Sequence, residues 1–263
     1  LKVSFFPTMG ALHHGHVALV HEAFSYSDLV VVSIFVNPTQ FNNQEDLKNY
    51  PRTLVADIER LKKVGNVIVF APSVSEMYPD GFEEINLDLG QLEATMEGTF
   101  RPGHFKGVVN VVKRLFEIVR PDYALFGLKD YQQLTVIKFM VRALNLPIQI
   151  VAFETIREKS GLASSSRNGN LSEVEKIQAE IIYQTMMTAR DLSISYSPKE
   201  VREKAIQFFN RGHLKLEYLT IVDPITLNEL EEWVLGARLC IAAYCGQVRL
   251  IDNIELMDLE TIA

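Results

Sequence analysis

From residue 3 to about residue 153 the chain alternates short, almost unbroken apolar runs with longer stretches of helical periodicity. The apolar runs are "VSFF" at 3–6, "LVVVSIFV" at 29–36, "VIVFA" at 67–71, "YALFG" at 123–127 and "IQIVAF" at 148–153. Hydrophobicity this continuous marks strands buried on both faces. Between them, "TLVADIERLKKVG" sets Leu54, Ile58, Leu61 and Val64 on one helical face, with Thr53 as the expected N-cap and Gly65 as the expected stop. "FKGVVNVVKRLFEIVRPD" repeats that pattern ahead of Pro121. Strand, helix, strand, repeated, predicts an α/β fold: a Rossmann-like parallel sheet with right-handed crossovers. After about residue 155 the texture changes to the polar stretch "REKSGLASSSRNGNLS", then two helical stretches and alternating strands such as "LKLEYLTIVD" and "ARLCIAAYC". The expected organisation is a ligand-binding domain at 1–155 and a smaller α+β lid at 156–263, with the site at their junction.

The 263 residues are 48% hydrophobic, enough for a substantial core. No apolar run approaches the ~20 residues of a membrane span, and no signal peptide precedes Leu1, so a soluble, intracellular protein is expected. The net charge is −7, from 26 basic and 33 acidic side chains, with no basic run. Neither nucleic acid nor membrane is therefore an expected partner, whereas a few converging donors can still hold a small anion. Cys240 and Cys245 would lie on opposite faces of a strand, which disfavours a bridge and fits a reducing compartment, the cytoplasm.

The densest chemistry is "PTMGALHHGH" at 7–16, which holds three of the six histidines. It falls between the first predicted strand and a helix starting near His14 to His16, in a turn containing Pro7 and Gly10. In an open parallel sheet that turn lies at the carboxyl edge, where free N–H groups and the helix dipole favour anions. His13 and His16 share a face of the first turn, with Gly15 keeping bulk away from the bound group, and both are placed to donate to phosphate oxygens. His14 is expected to face solvent. A metal cluster would need Cys or Glu at ligand spacing, which is missing here, and a GxGxxG dinucleotide turn is also absent.

"PTMGALHHGH" resembles the signature turn of the pantothenate synthetases, nucleotidyltransferases with an HxGH-type motif. Further blocks resemble that family in its order: "FVNPTQF" (35–41), "YPRT" (50–53), "EGTFRPGHFKGV" (97–108), "FGLKDYQQL" (126–134), "GLASSSRN" (161–168) and "LIDNI" (250–254). The resemblance implies that pantoate and β-alanine are condensed to pantothenate at the expense of ATP. The pantoate carboxylate would attack the α-phosphorus of MgATP, and the β-alanine amine would then attack the pantoyl adenylate, releasing AMP and pyrophosphate in all. Positioning and charge stabilisation are the protein's main tasks in such chemistry.

Position by position, the resemblance implies an ATP turn of Met9, Gly10, Ala11, Leu12, His13, His14, Gly15 and His16. His13, His16 and Lys129 are the catalytic candidates, with His16 either an acid toward departing pyrophosphate or a hydrogen-bond donor. Gly127, Leu128, Lys129 and Asp130 would hold the nucleotide, and Ile156 would offer its backbone to adenine. Ser164, Ser165, Ser166 and Arg167 would clamp the distal phosphates. Gln40 and Gln133 would bind pantoate, with Gln40 also near β-alanine; as isolated residues both read as surface glutamines. Asn37, Arg52, Arg101 and His104 would order loops. Mg²⁺ would be held mainly by phosphates and water, with Asp57 the one protein ligand named. The resemblance also implies a homodimer and closure of the lid over the labile adenylate.

The sequence departs from the family pattern in places. It begins at Leu1, where the family has a preceding helical segment, and Ser164, Asn170 and Asn110 stand where an apolar residue, Tyr and Thr are usual. The rival readings are another HxGH nucleotidyltransferase, acting on a phosphopantetheine or an amino acid, and a nucleotide-binding protein without turnover.

Overall fold

The structure is a computed structural model and describes residues 1–257; the last six positions of the expected lid lie outside the described residues. The elements run β1 (Val3–Thr8), α1 (His14–Ala23), β2 (Leu29–Ile34), α2 (Gln44–Asn49), α3 (Leu54–Lys62), β3 (Val67–Phe70), α4 (Val74–Met77), α5 (Gln91–Ala94), α6 (Met96–Phe100), α7 (His104–Val119), β4 (Tyr123–Gly127), α8 (Tyr131–Ala143) and β5 (Gln149–Phe153). They continue with α9 (Glu173–Ser193), α10 (Pro198–Phe209), β6 (Lys215–Val222), β7 (Arg238–Cys245) and β8 (Val248–Glu255). The described residues form two compact units, one of Leu1–Leu128 with Gln132–Glu154, the other of Lys129–Tyr131 with the described residues from Thr155.

The first unit is the predicted α/β fold. Its five strands are ordered β3-β2-β1-β4-β5, all parallel, so each connection is a crossover. Val30, Val32, Phe6, Leu125 and Val151 stack with Leu12, Leu19, Val20 and Leu61 into an apolar layer on one face. Pro7 belongs to β1 rather than to the turn. Pairing with β4 covers only Ser4 and Phe5, so the N–H that Pro7 lacks falls where no partner on that side needs it.

Helix α3 corrects the sequence reading in detail. Its buried positions are Asp57 and Leu61, while Leu54 is exposed, so a carboxylate takes the place expected of a leucine. Thr53 precedes the helix without capping a backbone N–H; its hydroxyl donates to Asp57 Oδ2 (3.1 Å). Gly65 has an ordinary backbone, and its lack of a side chain makes room for the Phe24 ring, 3.0 Å from where a Cβ would sit.

The second unit is α+β. An antiparallel sheet, β6-β7-β8, carries α9 and α10 over a core of Ile182, Met186, Val201, Phe209, Leu219, Leu239 and Ile241. Ser172 and Ser197 start the two helices, each in a reciprocal capping box with Glu175 or Glu200. Cys240 and Cys245 are buried and unbridged.

Candidate active site

The turn after β1 is built by side chains that hold its backbone open. Gly10 has φ +83° and Ala11 φ +50°, both left-handed. Such a path survives because its N–H groups are claimed: Ala11 N donates to Asp57 Oδ2 (3.0 Å), Leu12 N to Asp57 Oδ1 (2.8 Å), and Gly10 N to Thr8 Oγ1 (3.1 Å). Asp57 is 1% exposed, and with the Thr53 hydroxyl it accepts three hydrogen bonds. The structure thus gives Asp57 a clear duty as the strut of the histidine turn. Among the described residues no group of three or more His, Cys, Asp or Glu side chains is arranged to hold a metal ion.

His13 is the N-cap of α1. Its Nδ1 accepts from Gly15 N (3.1 Å), and His16 Nδ1 accepts in return from His13 N (3.2 Å). Two histidines thereby make the reciprocal bond usually made by a serine and a glutamate. A backbone N–H only donates, so each Nδ1 lacks a proton and each ring carries its proton on Nε2. An imidazolium, protonated on both nitrogens, would break the cap. The two rings also lie 3.9 Å apart between centroids, a poor arrangement for two cations, and Phe6 packs against His16 at 5.8 Å. His14, in contrast, is exposed.

At the end of β2, Gln40 is 7% exposed and held on three sides. Its Nε2 lies 3.1 Å from Met9 Sδ, its Oε1 accepts from Asn37 Nδ2 (3.2 Å), and its carbonyl accepts from His104 Nδ1 (2.8 Å). Asn37 in turn donates to the Gly107 carbonyl (3.3 Å) and accepts from Tyr78 Oη (2.7 Å). Burial pushes the Tyr78 phenol up from its usual range and keeps it a donor. Gly107 lets α7 approach closely: a Cβ there would sit 2.5 Å from the Thr39 carbonyl oxygen. Met9 of the histidine turn therefore touches Gln40, a contact the sequence did not suggest.

Gln133 is half-buried on α8, and its neighbour Gln132 is buried. Gln132 accepts from Glu97 N (2.9 Å) and donates to the carbonyls of Leu92 and Thr95 (both 2.8 Å), tying down α5 and α6. Asn110 does the same for the segment at Ile85, bonding both its N–H (2.8 Å) and its carbonyl (3.2 Å). Arg52 donates to the carbonyls of Leu47, Lys48 and Tyr50, and Arg101 pairs with Glu97 at 3.7 Å. Tyr78, Gln132 and Asn110 carried no role in the sequence reading; an interior polar residue within an apolar helix, as at Asn110, is the signal that could have found the last.

After β4, Leu128, Lys129 and Asp130 form a 3-10 turn, in which Leu128, like Gly127, belongs to the first unit and the other two residues to the second. Lys129 Nζ lies 3.7 Å from Asp130 Oδ1. Tyr131 donates to the Pro224 carbonyl (2.8 Å) beneath the Arg238 guanidinium, 4.5 Å from the ring, and burial raises its phenol. The "GLASSSRN" stretch is a folded loop: Leu162, Ala163, Ser164 and Asn168 are buried, Ser164 N donates to the Ile156 carbonyl (2.8 Å), and Ser166–Asn170 form a 3-10 turn. Ser165 caps that turn, its Oγ accepting from Arg167 N (3.2 Å). Lys129, Ser165, Arg167 and Asn168 line one cavity of this unit.

Comparison with known proteins shows the family. Residues 1–255 match the family model described as pantoate-beta-alanine ligase. The chain is 46% identical over 259 residues to a pantothenate synthetase of Porphyromonas gingivalis, covering 97% of this chain and 92% of that one. A pantothenate synthetase of Christiangramia forsetii is 48% identical with the same coverage. The crystal structure of pantothenate synthetase from Thermus thermophilus superposes with a TM-score of 0.93 at 44% identity, covering 98% of this chain and 94% of that one. A pantoate-beta-alanine ligase from Francisella tularensis, complexed with beta-gamma ATP and beta-alanine, superposes with a TM-score of 0.78 at 38% identity, covering 97% of this chain and 90% of that one. A match of this breadth, on a chain whose histidine turn and buried Gln40 fold as described, means that the protein belongs to the pantoate-beta-alanine ligase family.

Proposed function

We propose that this chain condenses pantoate with β-alanine in two steps driven by MgATP. A pantoate carboxylate oxygen attacks the α-phosphorus of ATP and pyrophosphate leaves. The β-alanine amine then attacks the acyl carbon of the pantoyl adenylate, AMP leaves, and the nitrogen sheds its extra proton to give pantothenate.

The observation that carries this reading is the two-histidine cap. A pair of neutral rings, each with its proton on Nε2, sits at the start of a helix at the carboxyl edge of a parallel sheet, beside a buried glutamine. Such donors suit phosphate oxygens on which charge develops, and they need no reorganisation as it does. In this reading His13 and His16 act as hydrogen-bond donors rather than as cationic acids, since a neutral imidazole that gave up its Nε2 proton would be left an anion. Met9, Gly10, Ala11, Leu12 and Gly15 form the floor under the nucleotide, and Gln40 and Gln133 take pantoate, Gln40 also lying near β-alanine. Gly127, Lys129, Asp130 and Ile156 serve the nucleotide, and Ser164, Ser165, Ser166 and Arg167 its distal phosphates.

Magnesium enters with the substrate. This ion is commonly held by phosphates and water, with Asp57, which also braces the turn, the one protein ligand named. No helix among the described residues is long and apolar enough to cross a membrane. Two buried, unbridged thiols suit a reducing compartment, and on that ground we assign the enzyme to the cytoplasm. We further expect a homodimer, which sedimentation would test.

The decisive assay is exchange of labelled pyrophosphate into ATP with pantoate, with amino acids, or with neither. Exchange that requires pantoate, followed by AMP release on addition of β-alanine, is the expected result. Exchange driven by an amino acid, or none under any condition, would overturn the proposal.

A further inference from the structure

The block "LIDNI" resembles the family yet receives no role from that resemblance. It lies in β8, an edge strand of the sheet of the second unit, and two neighbouring side chains in it, Asp252 and Asn253, are each 4% exposed. Asp252 accepts a two-pronged bond from Arg157, with Nη1 at 2.6 Å and Nη2 at 3.1 Å, and it also accepts from Asn253 N (2.8 Å). Arg157 then holds the next turn of chain. Its Nη1 donates to the Gly161 carbonyl (3.0 Å), and its guanidinium lies 4.9 Å from the centre of the Tyr183 ring. Gly161, at φ +88°, presses on that same ring, where a Cβ would come within 2.1 Å. An antiparallel bridge joins Arg157 to Ala163, so the grip on Arg157 passes into Ser164–Arg167.

Asn253 reaches a different loop. Its Nδ2 donates to the Lys129 carbonyl (2.9 Å), and its Oδ1 accepts from Arg238 Nη1 (2.8 Å). Arg238 lies over Tyr131, which is itself fixed to the Pro224 carbonyl. One dipeptide thus holds the turn that carries Lys129 and the loop that carries Ser165 and Arg167, and Asp252 lies in the wall of the cavity those three residues line.

A buried ion pair of this kind is weak support for stability, because packed apolar side chains of the same volume often do as well. The partners chosen here are informative: the carbonyls of Lys129 and Gly161 belong to loops outside any strand. We propose that Asp252 and Asn253 form a positioning hub which sets the spacing between Lys129 and Arg167, and so shapes the seat of the ATP phosphates. This rests on the phosphate-binding role given above to Lys129 and Arg167.

The test is a pair of double-mutant cycles in the intact enzyme, read by pantoate-dependent pyrophosphate exchange. Asn253→Ala is expected to slow exchange and raise the Michaelis constant for ATP by on the order of 10-fold in total, as a small misplacement of a binding group does, while the Michaelis constant for β-alanine, read separately by AMP release in the complete reaction, stays unchanged. Asn253→Ala added to Lys129→Ala, and Arg157→Lys added to Arg167→Ala, should cost little beyond the second substitution alone, because each pair acts through one group. Ser197→Ala removes the α10 cap and weakens the same unit far from this network, and it should leave exchange unchanged. Additive losses in both cycles, or a fully active Asn253→Ala enzyme, would overturn the hub. Wild-type exchange in Lys129→Ala and Arg167→Ala would overturn the phosphate assignment itself, and the hub with it. Should Asn253→Ala fail to fold, Arg157→Lys, which keeps a cation opposite Asp252, carries the test through the second cycle.

Discussion

The two-histidine cap separates a structural duty from a chemical one within a single ring, and amide substitutions can divide them. At position 13 an Asn carbonyl can stand where Nδ1 accepts from Gly15 N, whereas a Gln amide reaches toward Nε2 and abandons the cap. Asn is among the best N-cap residues, so His13→Asn should change stability by only a few tenths of a kcal/mol, while losing the cap in His13→Gln should cost about 1 kcal/mol. The bond from His13 N to His16 Nδ1 is made by the backbone and survives both changes. Activity should move the other way. Removal of a preorganised donor aimed at developing charge typically costs about 10²–10³ in rate, so His13→Asn should lose pyrophosphate exchange to that extent and His13→Gln much less. Urea unfolding and exchange assays on the two variants give four numbers. An active His13→Asn enzyme beside an inactive His13→Gln enzyme would reduce His13 to a cap and refute the donor assignment. Equal stabilities would mean that the bond from Gly15 N to the side chain at position 13 contributes nothing to α1.

Asp57→Asn should cost about 1–3 kcal/mol in urea unfolding, because one of the two N–H groups at Ala11 and Leu12 then faces an amide donor; a loss under about 0.5 kcal/mol would refute the strut. Gly107→Ala forces a methyl against the Thr39 backbone and should cost about 1–3 kcal/mol while raising the Michaelis constant for pantoate, since the displaced segment carries Gln40; unchanged pantoate kinetics would separate this contact from the proposed role of Gln40. Gln133→Ala should impair pantoate use at near wild-type stability and Gln132→Ala should do the reverse, and thermal melts with pantoate titrations will show whether the two glutamines divide their work so. The Glu175 carboxyl is held below its usual range by the Ser172 N–H and hydroxyl, and that of Glu200 by the Ser197 hydroxyl and N–H. Each therefore contributes stability above the ordinary carboxylate range, lost as pH falls through that range to the depressed value. The double variant Glu175→Gln with Glu200→Gln should lose less stability than the parent between neutral and acid pH, and equal losses in denaturant titrations would contradict the capping account.

The sequence by itself determined the parallel sheet, since strands buried on both faces are spelled by unbroken runs such as "LVVVSIFV", and the helices between them by their periodicity. It also singled out the histidine turn, because a local motif between a strand and a helix needs only neighbours along the chain to take shape. The tertiary structure decided the rest. Asp57 reads as one carboxylate on an amphipathic helix until α3 packs beneath the turn and brings it to Ala11 and Leu12, across separations of 46 and 45 residues. Gln132 and Gln133 are equivalent in sequence, yet successive helix positions point about 100° apart, so one is buried to hold α5 and α6 and the other is left half-buried. The "LIDNI" block shows the same limit. Its carboxylate and amide acquire meaning only when β8 brings Asp252 to Arg157 and Asn253 to Lys129, across separations of 95 and 124 residues. Local propensity is written in adjacent residues, whereas a hydrogen bond across the fold depends on where packing sets both ends.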